Sequence, residues 1–410
     1  MNNFWKGKKV FITGHSGFKG SWLAFILNLF GANVTGYALE PPTSPSLFAL
    51  IELDKKITSI IGDVRDLDNL QRAFEKFQPE IVFHLAAQPI VLEGYKNPVA
   101  TYSTNVMGTV NILECIRQSD TVRSFVNVTT DKVYHNNEWC YGYRETDELN
   151  GIDPYSNSKS CSELVTQCYN RSFFVDREIA VSTVRAGNVI GGGDFADFRI
   201  IPDCVRAALA GKIIDVRNLN SIRPYQHVLE PLFAYMMIAE KQFDDRKFSG
   251  SYNVGPSEAD NLTTGELVEF FCKSWGDNLI WQSKSLNQPK EANFLKLDCS
   301  KIKSVFGWAP TWNVKTAIEK TVDWYKVFRD KGNVVQCMIK QIEERFNVWG
   351  GVWYYKSWQS IRSNNQRLFR VISRSRKKLP TLIEFLAYRH HVFWEHSNIF
   401  HKQEKLRCSL

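Results

Sequence analysis

The sequence predicts an α/β protein, a doubly wound parallel sheet followed by a smaller second lobe, and three observations carry the prediction. Short β-rich runs alternate with longer segments of helical period from residue 8 to about residue 190, the pattern of a parallel sheet covered on both faces. The stretch TGHSGFKG, residues 13–20, sets three glycines at the first strand-to-helix junction. Beyond residue 190 the alternation loosens, so the later elements pack mainly as a different unit.

Taken in order, strands are expected at KVFITG, NVTGYAL, ITSIIG, EIVFHLAA, SFVNVTT and AVSTVRAGNV. Between the first two, Trp22, Phe25, Ile26, Leu29 and Phe30 recur at helical spacing and Gly31 follows as the C-cap, which completes a βαβ unit. Later, GGGDF reads as a loop, IPDCVRAALAG as a helix with its stop, and NLTTGELVEFFCKSW as a helix capped by Thr263 or Thr264. The chain therefore divides into a sheet domain over 1–190, a second lobe mainly within 191–347 with some segments returning to the sheet domain, and an extension over 348–410. No internal repeat or low-complexity tract occurs.

With 410 residues, 44% hydrophobic and 23% charged, the chain can bury a large core. Its formal net charge of +8 would suggest a nucleic-acid or anionic-membrane partner if spread evenly. Residues 351–410 instead hold twelve Lys and Arg against three Asp and Glu, leaving 39 against 40 in residues 1–350. The body is close to neutral and no nucleic-acid partner is expected. Two readings of the tail, with its aromatics interleaved among basic residues, stay open: an extension without chemistry or an amphipathic segment touching a membrane surface. The nine cysteines are scattered and include no C-x-x-C, so neither a disulfide framework nor a metal site is expected. No run of about 18 apolar residues occurs, and MNNFWKGKKVFITG enters a strand without the order of a signal peptide. A soluble, cytoplasmic protein is expected.

Gly14, Gly17 and Gly20 are spaced G-x-x-G-x-x-G directly after an apolar strand, and Phe18 opens the helix that follows. Such a turn brings backbone amides to a pyrophosphate at a helix N-terminus and lets the helix pack on the sheet. This is the cradle of a Rossmann-type dinucleotide domain. Glu40 falls about 20 residues past the last glycine, where an acid binds a ribose hydroxyl pair, and no arginine follows to meet a ribose phosphate. NAD is expected rather than NADP. Asp63 has two readings, an acceptor for the adenine amino group with Val64 beside it, or the N-cap of a helix starting near Leu67. Leu85, Ala86 and Ala87 end the fourth strand on the cofactor side.

YSNSK places Tyr155 and Lys159 one helical turn apart and so on one face. An ammonium close to the phenol favours phenolate over the ordinary pKa of about 10. In VTTDKVY, Thr130, Asp131 and Lys132 follow one another at the end of the fifth strand. Together these residues resemble the extended short-chain dehydrogenase/reductase family, in which a threonine or serine at that strand end partners the tyrosine. Thr130 matches it. An acid directly after the threonine marks the sugar-nucleotide 4,6-dehydratases of that family rather than the epimerases, and Asp131 matches the acid. The segments VTTDKVY, NNEWCYGYRE, DPYSNSKSCSELV, VRAGNVIGGGDF, SIRPYQHVLEPL and FLKLDCSK are similar to the CDP-glucose branch over roughly residues 5–347, with Lys132 where the dTDP-glucose branch carries glutamate.

The resemblance implies an NAD-dependent hydro-lyase acting on CDP-glucose in deoxysugar and polysaccharide precursor synthesis, and a homodimer. Tyr155, assisted by Thr130 and Lys159, takes the proton of the 4-hydroxyl while hydride passes to NAD, Asp131 protonates the departing 6-hydroxyl, and the hydride returns at carbon 6. Lys132 has two readings, a base at carbon 5, which requires a neutral amine and is the preferred one, and an electrostatic support for enolate charge. By position, Asn105 backs the cofactor site, Asn188, Arg199 and Arg223 bind the sugar diphosphate, and Gln88 and Tyr134 line the pocket, while His227 is a structural partner. The sequence departs from the branch at Leu92, where an arginine is common. Two alternatives remain: a dehydratase or epimerase for another nucleotide sugar, and a catalytically weak NAD-binding scaffold with a docking tail.

Overall fold

The computed structural model describes residues 2–260, 262–284 and 294–348. Its centre is a seven-stranded, all-parallel sheet. The strands are β1 (Lys9–Thr13), β2 (Asn33–Ala38), β3 (Thr58–Ile61), β4 (Ile81–His84), β5 (Ser124–Val128), β6 (Ala180–Ala186) and β7 (Gly250–Val254), in the spatial order β7-β6-β5-β4-β1-β2-β3. Every residue of β4, β5 and β6 is buried, as expected of central parallel strands covered by helices. All six strands read from sequence are present, and each expected C-terminal end overshoots. Gly14, residues 85–87 and residues 129–130 leave the ladder and form loops at the carboxyl edge, where ligands bind in open α/β sheets. The seventh strand, GSYNV, pairs with β6 (Tyr252 opposite Val184). It escaped notice because only its last three residues are buried.

Helix α1 (Phe18–Leu29) buries Trp22, Leu23, Phe25, Ile26 and Leu27, and Gly31 follows its end in the left-handed conformation, φ +82°. Helix α2 (Leu67–Phe77) and α3 (Gly108–Gln118) close one face of the sheet, where Phe74, Ile112 and Ile116 pack with Phe11, Val82 and Phe125. Fully burying side chains of this size is worth about 1.5–3 kcal/mol each. The cap of α2 is Asp66, whose carboxylate accepts from Asn69 N at 3.1 Å, so the capping role considered for Asp63 belongs three residues later.

Helix α4 (Pro154–Tyr169) carries the Tyr155–Lys159 pair, with Asp153 accepting from Ser156 N at 3.0 Å as its cap and Pro154 at its first position. Helix α5 (Ile200–Leu209), α6 (Leu229–Asp244) and α7 (Thr264–Trp275) follow. For α7, Thr263 is the cap and forms a capping box with Glu266. The described residues end with α8 (Val314–Arg329) and α9 (Val334–Val348). Apart from Val348, the basic extension expected from residue 348 lies outside the described residues. Among the described residues no helix is long and apolar enough to cross a membrane.

Candidate active site

The glycine turn is built from opposite requirements. Gly14 has φ +79°, and a Cβ there would lie 2.7 Å from Ala86 N; a Cβ on Gly20 would overlap the Gly14 carbonyl. Both glycines are needed by the fold. A Cβ on Gly17 would meet nothing closer than the Gly14 oxygen at 3.5 Å, an ordinary contact, so its bareness serves no packing inside the chain and leaves room for a ligand at the start of α1. A dinucleotide's pyrophosphate fits such a cradle. Thr13 fixes the neighbouring strand end: its Oγ1 accepts from Leu85 N at 3.2 Å and Ala86 N at 3.3 Å and lies 2.7 Å from His84 Nδ1.

Beside the cradle, Glu40 is exposed two residues past β2. The Asp63 carboxylate is gripped by Arg65, whose Nε lies 2.9 Å away, which holds its carboxyl below the usual range. Val64 is buried against α3. Asn105 sits in a π-helical turn, Ser103–Met107, that leads into α3. Its Oδ1 accepts from Gln88 N at 2.8 Å while its Nδ2 donates to Gln88 O at 3.1 Å and Ser158 Oγ at 2.9 Å. It thereby clamps the loop after β4 to the helix that carries Tyr155.

A cleft of about 560 Å³ opens beyond the carboxyl edge of the sheet, within the size range of ligand sites. Thr130, Asp131, Lys132 and Tyr155 line one end. Asn188, Arg199 and Arg223 also face it, so three elements far apart in sequence meet as expected. Asp131 is completely buried; its Oδ1 accepts from Thr130 Oγ1 at 3.0 Å and Lys132 Nζ at 3.3 Å, and its Oδ2 has no hydrogen-bond partner. Lys132 Nζ also donates to Asn188 Oδ1 at 3.4 Å. Arg199 is paired with Asp194 at 3.0 Å, an interaction that raises its pKa further. Leu92 lines the cleft as well, so the departure noted at this position falls on the site itself.

Burial decides the electrostatics. The Tyr155 phenol is pushed up to about 12, chiefly by desolvation; a hydrogen bond with Thr130 and the charge of Arg199 act downward, and Asp131 acts upward. Desolvation outweighs the depression expected from Lys159, whose ammonium donates to the carbonyl of Val128 at 3.0 Å. Lys159 is itself lowered to about 8 by burial, with Glu163 opposing. Glu163, one turn further along α4, is buried and accepts from Thr129 Oγ1, from Thr183 Oγ1 at 2.6 Å and from Arg185 through two bonds of 3.0 and 2.9 Å. This pair locks the ends of β5 and β6 to α4.

Two expected pocket residues turn away. The Gln88 side chain donates to Thr101 Oγ1 at 3.0 Å and accepts from Ile90 N at 2.6 Å, shaping its own loop. Tyr134 is buried, with its hydroxyl between Asn253 Oδ1 at 2.7 Å and Arg185 at 2.8 Å. Neither lines the cleft. His227 packs at 4.9 Å against the Trp312 ring and is driven down to about 3 by burial, as a structural imidazole would be. Two residues escaped the sequence reading: Lys19, which lines the cleft, and Glu163, whose i+4, i+8 spacing from Tyr155 was the available signal.

A parallel sheet with a glycine turn after its first strand, and a Thr–Tyr–Lys constellation at its carboxyl edge, defines the class of extended short-chain dehydrogenases/reductases. Within it the chain belongs to the GDP-mannose 4,6-dehydratase family, whose model matches residues 11–321. It is 46% identical over 348 residues to the CDP-glucose 4,6-dehydratase of Salmonella typhimurium, covering 83% of this chain and 97% of that protein. The dTDP-glucose 4,6-dehydratase of Xanthomonas campestris is 27% identical over 339 residues, covering 77% and 92%. Among solved structures, dTDP-glucose 4,6-dehydratase from Bacillus anthracis in complex with NAD superposes with TM-score 0.66 at 20% identity, covering 80% of this chain and 99% of that one. UDP-glucose 4-epimerase from Stenotrophomonas maltophila with bound NAD gives 0.70 at 18%, covering 79% and 100%. At these identities the structural likeness speaks for the fold.

Proposed function

We propose that this protein converts CDP-D-glucose to CDP-4-dehydro-6-deoxy-D-glucose with loss of water. The observation that carries the reading is the placing of Asp131, buried and with one oxygen unpartnered, beside Thr130 and within the cleft wall shared with Tyr155. An epimerase has no use for an acid there, and the relative at 46% identity bears the matching name. NAD in the glycine cradle supplies a hydride acceptor and donor that ends the cycle as it began.

The chain's own residues manage the protons. Tyr155, as its phenolate, receives the proton of the sugar's 4-hydroxyl, with Thr130 holding the oxygen in place; burial, which pushes the phenol up to about 12, makes that phenolate scarce but strongly basic. Lys159, fixed by Val128 O, supplies a nearby cation that favours the phenolate before it takes the proton. Oxidation at carbon 4 acidifies the neighbouring hydrogen at carbon 5. Asp131 gives its proton to the departing 6-hydroxyl, which leaves as water, and the carboxylate so formed takes the proton from carbon 5, leaving an enone; the two electrons taken from carbon 4 then return as hydride to carbon 6 while a proton returns to carbon 5. Of the two roles open to Lys132, its bonds to Asp131 and Asn188 favour charge support for the enolate over the base at carbon 5. Lys132→Ala then slows exchange of the carbon 5 hydrogen with solvent without abolishing it.

Residues 191–347 serve mainly as the substrate lobe, through Arg199 and Arg223. Two copies of the chain pair through the helices before and after β5, α3 and α4, on the second of which Leu164 is exposed, and the enzyme works in the cytoplasm, where sugar nucleotides are made. The test is incubation with CDP-glucose, dTDP-glucose and UDP-glucose, each with and without added NAD, followed by the ultraviolet absorbance of a 4-keto-6-deoxy sugar in base. Product from the cytidine compound alone is expected. Unchanged sugar in all three would overturn the reading.

A further inference from the structure

Lys19 is an unexpected residue where it stands. It occupies the first turn of α1, directly after Phe18, where the positive end of the helix dipole disfavours a cation by about 0.3–1 kcal/mol. The chain obtains no internal return for that cost, because among the described residues no hydrogen bond or ion pair engages the Lys19 amine. Its side chain instead lines the cleft that Asp131, Lys132, Tyr155 and Arg199 share.

The charges around it do not balance. The groups acting on Lys19 are Arg199, Lys159 and Lys132, all cationic, and the carboxylate of Asp131. Asp131 already accepts from Lys132, and the nearby Asp194 is taken by Arg199. Lys19, Arg199 and Lys132 thus share two committed carboxylates, and Lys159 answers to Glu163. Burial and this repulsion lower Lys19 to about 7. An anion entering the cleft would remove that stress, and a diphosphate brings two charges to it.

Two diphosphates are available, one in the cofactor and one in the substrate. Gly14 and Gly17 of the pyrophosphate cradle, and Glu40 and Asp63, do not line the cleft, whereas Lys19 does so together with Asn188 and Arg199. We infer that Lys19 is a substrate-binding residue that reaches from the cofactor helix to the diphosphate of the sugar nucleotide and, with Arg199, fixes the sugar's reach towards Tyr155. The inference rests on the reading of the cleft as a nucleotide-sugar site.

The experiment is calorimetric titration of the NAD-loaded enzyme with CDP, UDP and dTDP, comparing wild type with Lys19→Met and Lys19→Arg, and a separate titration of NAD. For the nucleoside diphosphate that wild type binds tightest, Lys19→Met is expected to raise Kd by about 10- to 100-fold, with Lys19→Arg within about fivefold of wild type and the Kd for NAD within about threefold throughout. Retained NAD binding also shows that the variant is folded. Titrations at pH 8 in buffers of different ionisation enthalpy should show proton uptake on binding by wild type that shrinks in Lys19→Met, the remainder belonging to Lys159. Equal diphosphate affinity in variant and wild type overturns the inference, as does weakened NAD binding with unchanged diphosphate binding, which would assign Lys19 to the cofactor. A wild-type preference for UDP or dTDP would instead count against the cytidine assignment and leave the comparison at Lys19 intact.

Discussion

Glu163–Arg185 and Glu230–Arg345 are equally buried and joined by the same two-bond geometry, at 2.8–3.0 Å, yet one pair stands behind the cleft and the other ties α9 to α6. The carboxylate of Glu230 spends its remaining capacity on the backbone amides of Thr311 and Trp312 at 3.1 and 3.0 Å, a static joint between chain segments. Glu163 spends its own on Thr129 and Thr183 at the carboxyl ends of β5 and β6. It also lies one helical turn beyond Lys159 and holds that amine's pKa up against burial. The same chemical unit is therefore a fastener in one place and, in the other, a fastener whose charge reaches the reacting groups.

Substitutions can break that distinction. Glu163→Gln is expected to have the largest effect, because it leaves Arg185 buried without its counter-charge, at a cost of about 3–5 kcal/mol, and also perturbs the site. With Glu163 neutral, Lys159 falls below about 8 and loses its proton sooner, so the alkaline limb of the kcat profile moves to lower pH and turnover at pH 8.5 drops by about tenfold or more. Glu230→Gln should lose the same 3–5 kcal/mol in urea unfolding while the alkaline limb stays where it is in wild type. Equal movement of the limb in both variants would erase the distinction.

Acidification probes the two regions more gently. His84, behind the glycine turn, and His227, in the scaffold, are both lowered to about 3 by burial. Between pH 6.5 and 3 the unfolded chain binds more protons than the folded one, so stability is complete above about 6.5 and falls as pH drops. At pH 5 each histidine costs about 2 kcal/mol, and His227→Gln should recover its share without altering kcat. The smallest effect on stability is expected from Gly17→Ala, within about 0.5 kcal/mol, since the added carbon meets only an ordinary contact. NAD affinity should nevertheless fall by tenfold or more in equilibrium titration, and unchanged affinity would remove the pyrophosphate from this turn.

The parts of the fold that were legible are those in which one segment carries its own signal. Apolar runs gave away β1 to β6, three glycines marked the turn, and a four-residue spacing put Tyr155 and Lys159 on one face. What was hidden depends on partners remote in sequence. Arg185 is drawn into place by Glu163 across two elements, and Lys19 resembles any helical surface lysine until the cleft closes around it. Gln88 and Tyr134 sit next to the right motifs, but their side chains are consumed by Thr101, Asn253 and Arg185, which adjacency cannot disclose. The direction of the Tyr155 shift was missed for a related reason: spacing reveals the neighbouring ammonium but not the desolvation that outweighs it.

The central claim, an internal transfer of electrons from carbon 4 to carbon 6 beside Tyr155, is tested most directly with CDP-glucose carrying deuterium at carbon 4. Mass spectrometry and proton NMR of the product should find that deuterium at carbon 6 of the same molecule, even when labelled and unlabelled substrates are mixed. Deuterium still at carbon 4, lost to solvent, or scrambled between molecules would contradict it.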